Sequence, residues 1–421
     1  MHRDALGSPD CGSNPVRSGR TAGQVTGSDG LSPLRLGRMR EVMAGYVDRG
    51  AMPGLVALVS RRGGVHAEAI GMTAFDGGRP MRRDTIFRIA SMTKPITAVA
   101  AMILVEECVL RLDDPVDRLL PELADRQVLR RLDGPLEDTV PAQRPITVRD
   151  LLTFRMGFGP FFGSPQEYPI LRAGSAQRIG MGPDSPGAAP DEWIRRLGTL
   201  PLMHQPGRMW RYNTGSDVLA VLIARASGQP LATFLHERIF SPLGMKDTGY
   251  TVPADQLDRL STSYAADPGT GRLELARDRD WRQPPVFPSG AGGLVSTVDD
   301  YLAFAQMMLD NGRYGGGRIL SRPSVELMTT NHLTDEQRAG ARDFLGDNRG
   351  WGFGVSVVIN RDDVAAIPGR YGWDGGSGTT WRSDPTEHMI TILLTQRAMD
   401  SPAPPPVFRD FWTSAYQAID D

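Results

Sequence analysis

The sequence predicts an α/β protein whose sheet-forming unit is assembled from both ends of the chain. Strand-like runs with flanking amphipathic helices occur before residue 113 and again after residue 289, whereas the stretch between reads as helical pieces joined by long Gly- and Pro-containing loops. Length agrees, since 421 residues favour two or three structural units over one small core. The expected organisation is a disordered leader over 1–31, an α/β domain from 32–113 and 289–421, and an inserted, mostly helical domain over 114–288.

Residues 1–30, rich in Gly, Ser, Asp and Arg, lack an apolar core of signal-peptide length; they read as a leader and imply a cytoplasmic location. Leu34, Leu36, Met39, Val42, Met43, Tyr46 and Val47 recur at helical spacing, which predicts an amphipathic helix over 32–48. The β-rich runs 55–60 and 65–71 flank Arg61-Arg62-Gly63-Gly64, a hairpin signal. An apolar helix follows from near Ser91 to about Leu110, stopped by Asp113, Asp114 and Pro115. Farther on, Thr147 with Asp150 three residues later approaches a capping box, and 214–226 and 231–239 read as helices. The segment 157–190 carries Phe158, Phe161, Phe162 and Met181 and is too long for a plain connection. It reads either as a disordered insertion or as an apolar flap over a site. After the Gly-rich 289–296, a helix over 298–309, strands over 352–359, 378–382 and 389–395, and an amphipathic helix over 407–419 complete the chain.

Composition narrows the function classes. A content of 40% hydrophobic and 23% charged residues is that of a globular protein. A formal net charge of −2 without any basic block argues against a nucleic-acid or membrane-surface partner. The longest apolar run, 96–105, suits a buried helix and not a bilayer span. Cys11 and Cys108 have no metal- or redox-like spacing, and His236-Glu237 lacks the second His of a zinc-binding helix, so neither metal nor cofactor is expected. Oligomeric state stays open.

Three segments carry chemistry. In Ser91-Met92-Thr93-Lys94-Pro95 a Ser precedes a Lys by three residues, so a helix starting there brings hydroxyl and amine to one face. Free N–H groups at such a start suit an oxyanion. The chain has only two Lys, Lys94 and Lys246, and a chance Ser three places ahead of either is expected in roughly one such chain in eight. Lys, unlike Arg, gives up its proton when desolvated. The bland alternative is a helix cap with a solvated Lys. Tyr212, in Trp210-Arg211-Tyr212-Asn213-Thr214, precedes a helix; beside an ammonium its phenol pKa would fall towards that of a useful base. Tyr371-Gly372-Trp373-Asp374-Gly375-Gly376-Ser377 leads into a strand, and its small residues let backbone approach a ligand closely. No Gly-x-Ser-x-Gly occurs, which disfavours a nucleophile elbow.

Jointly, Ser91-Met92-Thr93-Lys94, Tyr212-Asn213-Thr214 and Trp373-Asp374-Gly375, in this order, resemble the serine β-lactamase and penicillin-binding protein superfamily. The nearest likeness is the class C-like branch and its family VIII carboxylesterases. Pro206-Gly207, Pro242-Leu243-Gly244-Met245, Gly292-Gly293-Leu294 and Gly350-Trp351-Gly352-Phe353-Gly354 are similar to landmarks of that group, and the resemblance spans residues 32–420. It implies an antiparallel sheet flanked by terminal helices, with a helical domain inserted. It further implies Ser91 as nucleophile, Tyr212 as general base assisted by Lys94, and the backbone N–H groups of Ser91 and Gly376 as the oxyanion hole. Phe158, Thr214, Trp373, Asp374 and Gly375 are the expected substrate contacts. Two departures stand out: Thr214 replaces the Asn of the class C Tyr motif, and Trp373 replaces the Lys of the third motif. Losing that cation weakens recognition of a β-lactam carboxylate and favours a neutral, short-chain or compact carboxylic ester as the small-molecule substrate. Amide, peptide or β-lactam hydrolysis, acyl transfer, and a non-catalytic ligand-binding homologue are the alternatives.

Overall fold

The computed structural model describes residues 29–161, 163–164, 166–180 and 187–421. Most of the expected leader lies outside these residues, but its last three do not form a free tail. Asp29 and Leu31 are buried, and Leu31 bridges to Ile419.

Helix α1 (Pro33–Asp48) begins with Pro at its first position, where no intrahelical N–H is required, and buries Leu36, Met39, Met43 and Tyr46. Strands β1 (Gly54–Arg61) and β2 (Gly64–Gly71) form the predicted hairpin. Its loop is only Arg62-Gly63, with φ of 49° and 87°, the positive angles that a two-residue loop matching the strand twist requires. Next come α2 (Thr93–Glu106), α3 (Val148–Leu152), α4 (Thr214–Ser227) and α5 (Val298–Leu309). Strands β3 (Arg349–Trp351), β4 (Ser356–Val358), β5 (Tyr371–Gly375), β6 (Thr379–Asp384) and β7 (Met389–Thr395) and helix α6 (Pro406–Tyr416) close the chain.

The sheet has seven strands in the order β3-β4-β5-β6-β7-β1-β2, with every neighbouring pair antiparallel. This is the α/β class read from the sequence, an antiparallel sheet flanked by terminal helices. The described residues of 114–288 add no strand to it; their paired strands, Gln127–Leu129 with Thr139–Pro141 and Tyr264–Ala266 with Leu273–Leu275, form separate two-stranded ladders.

Parity along the strands divides the core. In β1, Leu55, Ala57 and Val59 pack with α1 and α6, while Val56 and Leu58 face α2 and α5. β7 repeats this, Met389 and Leu393 against Ile390, Ile392 and Leu394. Both faces are covered, so a one-residue slip would exchange the two cores, and the register is strongly specified.

Four elements differ from their predicted form. The helix after Ser91 ends at Glu106 because Cys108 takes φ 60° and the N–H groups of Val109 and Leu110 fold back onto Leu104 O. The strand expected over 352–359 is a hairpin, turned by a bond of 2.8 Å from Gly352 N to Val355 O. The helix expected over 231–239 becomes a π turn after Leu235. Within 157–190, Phe162 and Met181 lie outside the described residues, but the described part is packed: it holds the helix Pro169–Ala176 and buries Ile170 and Ile179 in the main core.

Candidate active site

Ser91 lies in a single 3₁₀ turn, Ala90–Met92, directly ahead of α2 and not inside a helix. The turn is anchored on one side by pairing of Phe87–Arg88 with Val295–Ser296 and by a bond from Ile89 N to Leu294 O at 3.0 Å. The other side meets β5. A Cβ on Gly375 would stand 2.3 Å from Ile89 O and 2.2 Å from Thr379 Oγ1, so only glycine permits this approach. Ser377 Oγ also donates to Arg88 O, and Gly376, between these two residues, is exposed at the end of β5.

The expected meeting of Ser and Lys is present. Lys94 Nζ lies 2.9 Å from Ser91 Oγ and donates to Ala291 O at 2.6 Å. It also stands 4.5 Å from the ring centre of Tyr212. Burial pulls the Lys94 pKa down to about 7, against the attraction of Asp217. A neutral amine here keeps an N–H on Ala291 and turns its lone pair to the Ser91 hydroxyl. For Tyr212 the expectation is reversed. Burial raises its pKa above the ordinary phenol value and outweighs hydrogen bonds with Ser91 and Trp373, so the phenol is neutral at pH 7. The cost of a desolvated phenolate outweighs every favourable contact the site offers it.

Ala90 and Asn213 neighbour Ser91 and Tyr212, and they adopt φ of 41° and 73°. Both carry a Cβ in a left-handed conformation, a strain of about 1–3 kcal/mol each that surrounding structure must offset.

A small, half-open recess of about 30 Å³ lies beside Tyr212, walled by Pro160, Phe161, Trp210, Arg211, Ala341 and Phe344. Pro160 and Phe161, from 157–190, thus line this recess.

The Beta-lactamase family profile matches residues 39–406. The chain belongs to that family. It is 40% identical over 363 residues to a Mycobacterium tuberculosis protein, covering 84% of this chain and 88% of that one. It is 32% identical over 381 residues to esterase EstB of Burkholderia gladioli, with the same coverage of 84% and 88%. Among solved structures it is similar to EstCE1, a hydrolase with promiscuous acyltransferase activity: TM-score 0.75, 26% identity, 92% of this chain and 98% of that one. The resemblance read from the three motifs is thereby borne out.

In this beta-lactamase family member, the five expected substrate contacts do not line the recess. Trp373 is buried and donates its indole N–H to the Tyr212 oxygen at 2.7 Å. Asp374 faces the other side of β5, where both its oxygens meet Arg382 at 2.8 Å and Thr380 donates to it at 2.5 Å. Burial pushes the Asp374 pKa up, but the Arg382 charge overrides this and holds it below the usual carboxylate range. Gly375 serves the close approach to the Ser91 turn. Thr214 is buried in the first turn of α4, and Phe158 is buried in the main core.

Sequence reasoning missed the support of Lys94. Asp217, buried on α4, accepts from Ser289 Oγ at 2.6 Å and from Ala291 N at 3.1 Å, which fixes the carbonyl that holds the amine. Burial raises its pKa against these bonds. A carboxylate just ahead of the apolar run 218–223 was the available signal; the Ala291 carbonyl carries none.

Proposed function

We propose that the protein is a serine esterase that cleaves short-chain or compact carboxylic esters through an acyl-enzyme on Ser91. The 2.9 Å contact between Lys94 Nζ and Ser91 Oγ carries this reading, because burial brings that amine to about pH 7, where much of it is free to accept a proton. As Ser91 Oγ attacks the ester carbonyl carbon, its proton passes to Lys94. The tetrahedral oxyanion is met by the N–H groups of Ser91 and Gly376. When the C–O bond breaks, Tyr212 gives its hydroxyl proton to the leaving oxygen and regains one from the Lys94 ammonium. Water then attacks the acyl carbon, losing its proton to the Tyr212–Lys94 pair, and Ser91 leaves reprotonated.

Trp373 supports an ester over a β-lactam, since an indole stands where the third motif would offer a cation, and the likeness to esterase EstB points the same way. The likeness to EstCE1 favours a second outcome for the same intermediate, attack by an alcohol in place of water.

The test compares hydrolysis of p-nitrophenyl acetate, butyrate and octanoate with that of a chromogenic cephalosporin for wild type, Ser91→Ala and Tyr212→Phe. Short esters should be turned over by the wild type with higher kcat/KM than the cephalosporin. Full esterase activity in Ser91→Ala would refute the mechanism, and a better cephalosporin rate would refute the substrate class.

A further inference from the structure

We infer that the recess beside Tyr212 binds a carboxylate carried by the substrate, and that Arg211 recognises it. The inference deepens the esterase reading and rests on it: the ester is one whose compact, apolar body bears an acid group, such as a monoester of a dicarboxylic acid or an acylated hydroxybenzoate.

Arg211 precedes Tyr212 and is half-buried. Its Nε and Nη2 lie 3.1 Å and 2.6 Å from His204 Nε2, which must accept because Arg only donates. Burial and the Arg211 charge pull the His204 pKa down to about 4, so this partner is neutral. Among the described residues no carboxylate pairs with Arg211, and no acceptor takes its Nη1. Several other inward-facing arginines have a carboxylate or backbone carbonyls; Arg370, which among the described residues bonds only Ala365 O, also lacks a carboxylate but is enclosed in the core and does not line this recess. Arg382 has Asp374, Arg225 has Glu122, Arg126 bonds the carbonyls of Leu197, Gly198 and Leu200, and Arg349 bonds those of Phe344 and Leu345. Arg211 instead lines an open recess with aromatic walls, 5.1 Å from the ring centre of Phe161. A partly buried cation without a counter-charge is costly, and a carboxylate entering there would meet the guanidinium edge that His204 leaves free.

Asp343 is the other charged lining residue; it is exposed, and its charge is screened by water. It disfavours an anion at the mouth and leaves the inner wall to Arg211. On this reading the ester carries a carboxylate at the recess of Arg211, a different place from the third motif, whose Trp373 still offers a β-lactam carboxylate no cation.

The experiment measures kcat/KM for two matched pairs: 4-acetoxybenzoate against 4-acetoxybenzamide, and mono-4-nitrophenyl glutarate against its terminal carboxamide. The wild type should prefer the carboxylate in at least one pair by about tenfold, as one charge-assisted bond allows. That preference should shrink with added salt, collapse in Arg211→Gln and survive partly in Arg211→Lys. Benzoate, and not benzamide, should inhibit the wild type competitively, which tests the site without relying on a variant. A ratio of one or below in both pairs, or an unchanged ratio in Arg211→Gln, overturns the inference. Turnover of p-nitrophenyl butyrate without carboxylate preference would sink the site and keep the esterase. Benzoate quenching of tryptophan fluorescence in Ser91→Ala, lost in Arg211→Gln, with no ester turned over by wild type, would sink the esterase and keep the site.

Discussion

The indole N–H of Trp373 donates to the phenolic oxygen of Tyr212 at 2.7 Å, so the third motif is joined directly to the second. The donor occupies one lone pair of Tyr212 and leaves its O–H free to point at Ser91 or a leaving oxygen. Trp373→Phe keeps an aromatic ring against Trp351 and removes only that donor. It should lower kcat on p-nitrophenyl butyrate about five- to tenfold with KM nearly constant, the worth of one hydrogen bond. A raised KM with unchanged kcat would place Trp373 on the substrate instead.

In the proposed mechanism the Lys94 amine acts unprotonated. kcat/KM should therefore rise with pH through about 7, the value to which burial lowers this group. Stability follows the same titration. The folded pKa lies below the ordinary 10.5, so the unfolded chain binds more protons between about 7 and 10.5, and stability attributable to Lys94 rises with pH across that window. Lys94→Met should be inactive yet more stable at pH 7, by about 1 kcal/mol or more in urea unfolding. This advantage should narrow at pH about 9; an advantage independent of pH would contradict the lowered pKa.

Gly375→Ala puts a methyl group within 2.3 Å of Ile89 O. β5 must then withdraw from the Ser91 turn, carrying Gly376 with it. Activity should fall about a hundredfold or more, the cost of a lost oxyanion donor, while circular dichroism retains the sheet.

Asp374→Ala leaves Arg382 buried without its carboxylate. We expect a loss of about 3–5 kcal/mol in denaturant unfolding. In protein that remains folded, KM for short esters should be unchanged, since Asp374 turns away from the recess; a large KM effect would restore it as a substrate contact.

Much of this was legible because strong patterns are local. The helix over 298–309 and the strand over 389–395 were read to the residue, and Ser91, Lys94 and Tyr212 do converge. The misreading of Asp374 has a simple cause. Residues 371–375 form a strand and not a loop leading into one, so neighbours Trp373 and Asp374 face opposite sides, one to Tyr212 and the other to Arg382. Arg211 escaped notice because a missing counter-charge is a property of three dimensions. The Tyr212 pKa was misjudged because the depth of burial at that site cannot be read from residue order.

Asp217 of α4, Ser289 and Ala291 ahead of α5, and Lys94 of α2 form one hydrogen-bonded chain whose members are up to 197 residues apart in sequence. The Lys94 pKa falls only when all three segments have docked and excluded water from it. In a half-folded chain the same lysine is an ordinary solvated ammonium and Ser91 an ordinary alcohol. The proposed reactivity therefore depends on this assembly, and recovery of turnover during refolding should report the closing of this seam more directly than recovery of secondary structure does.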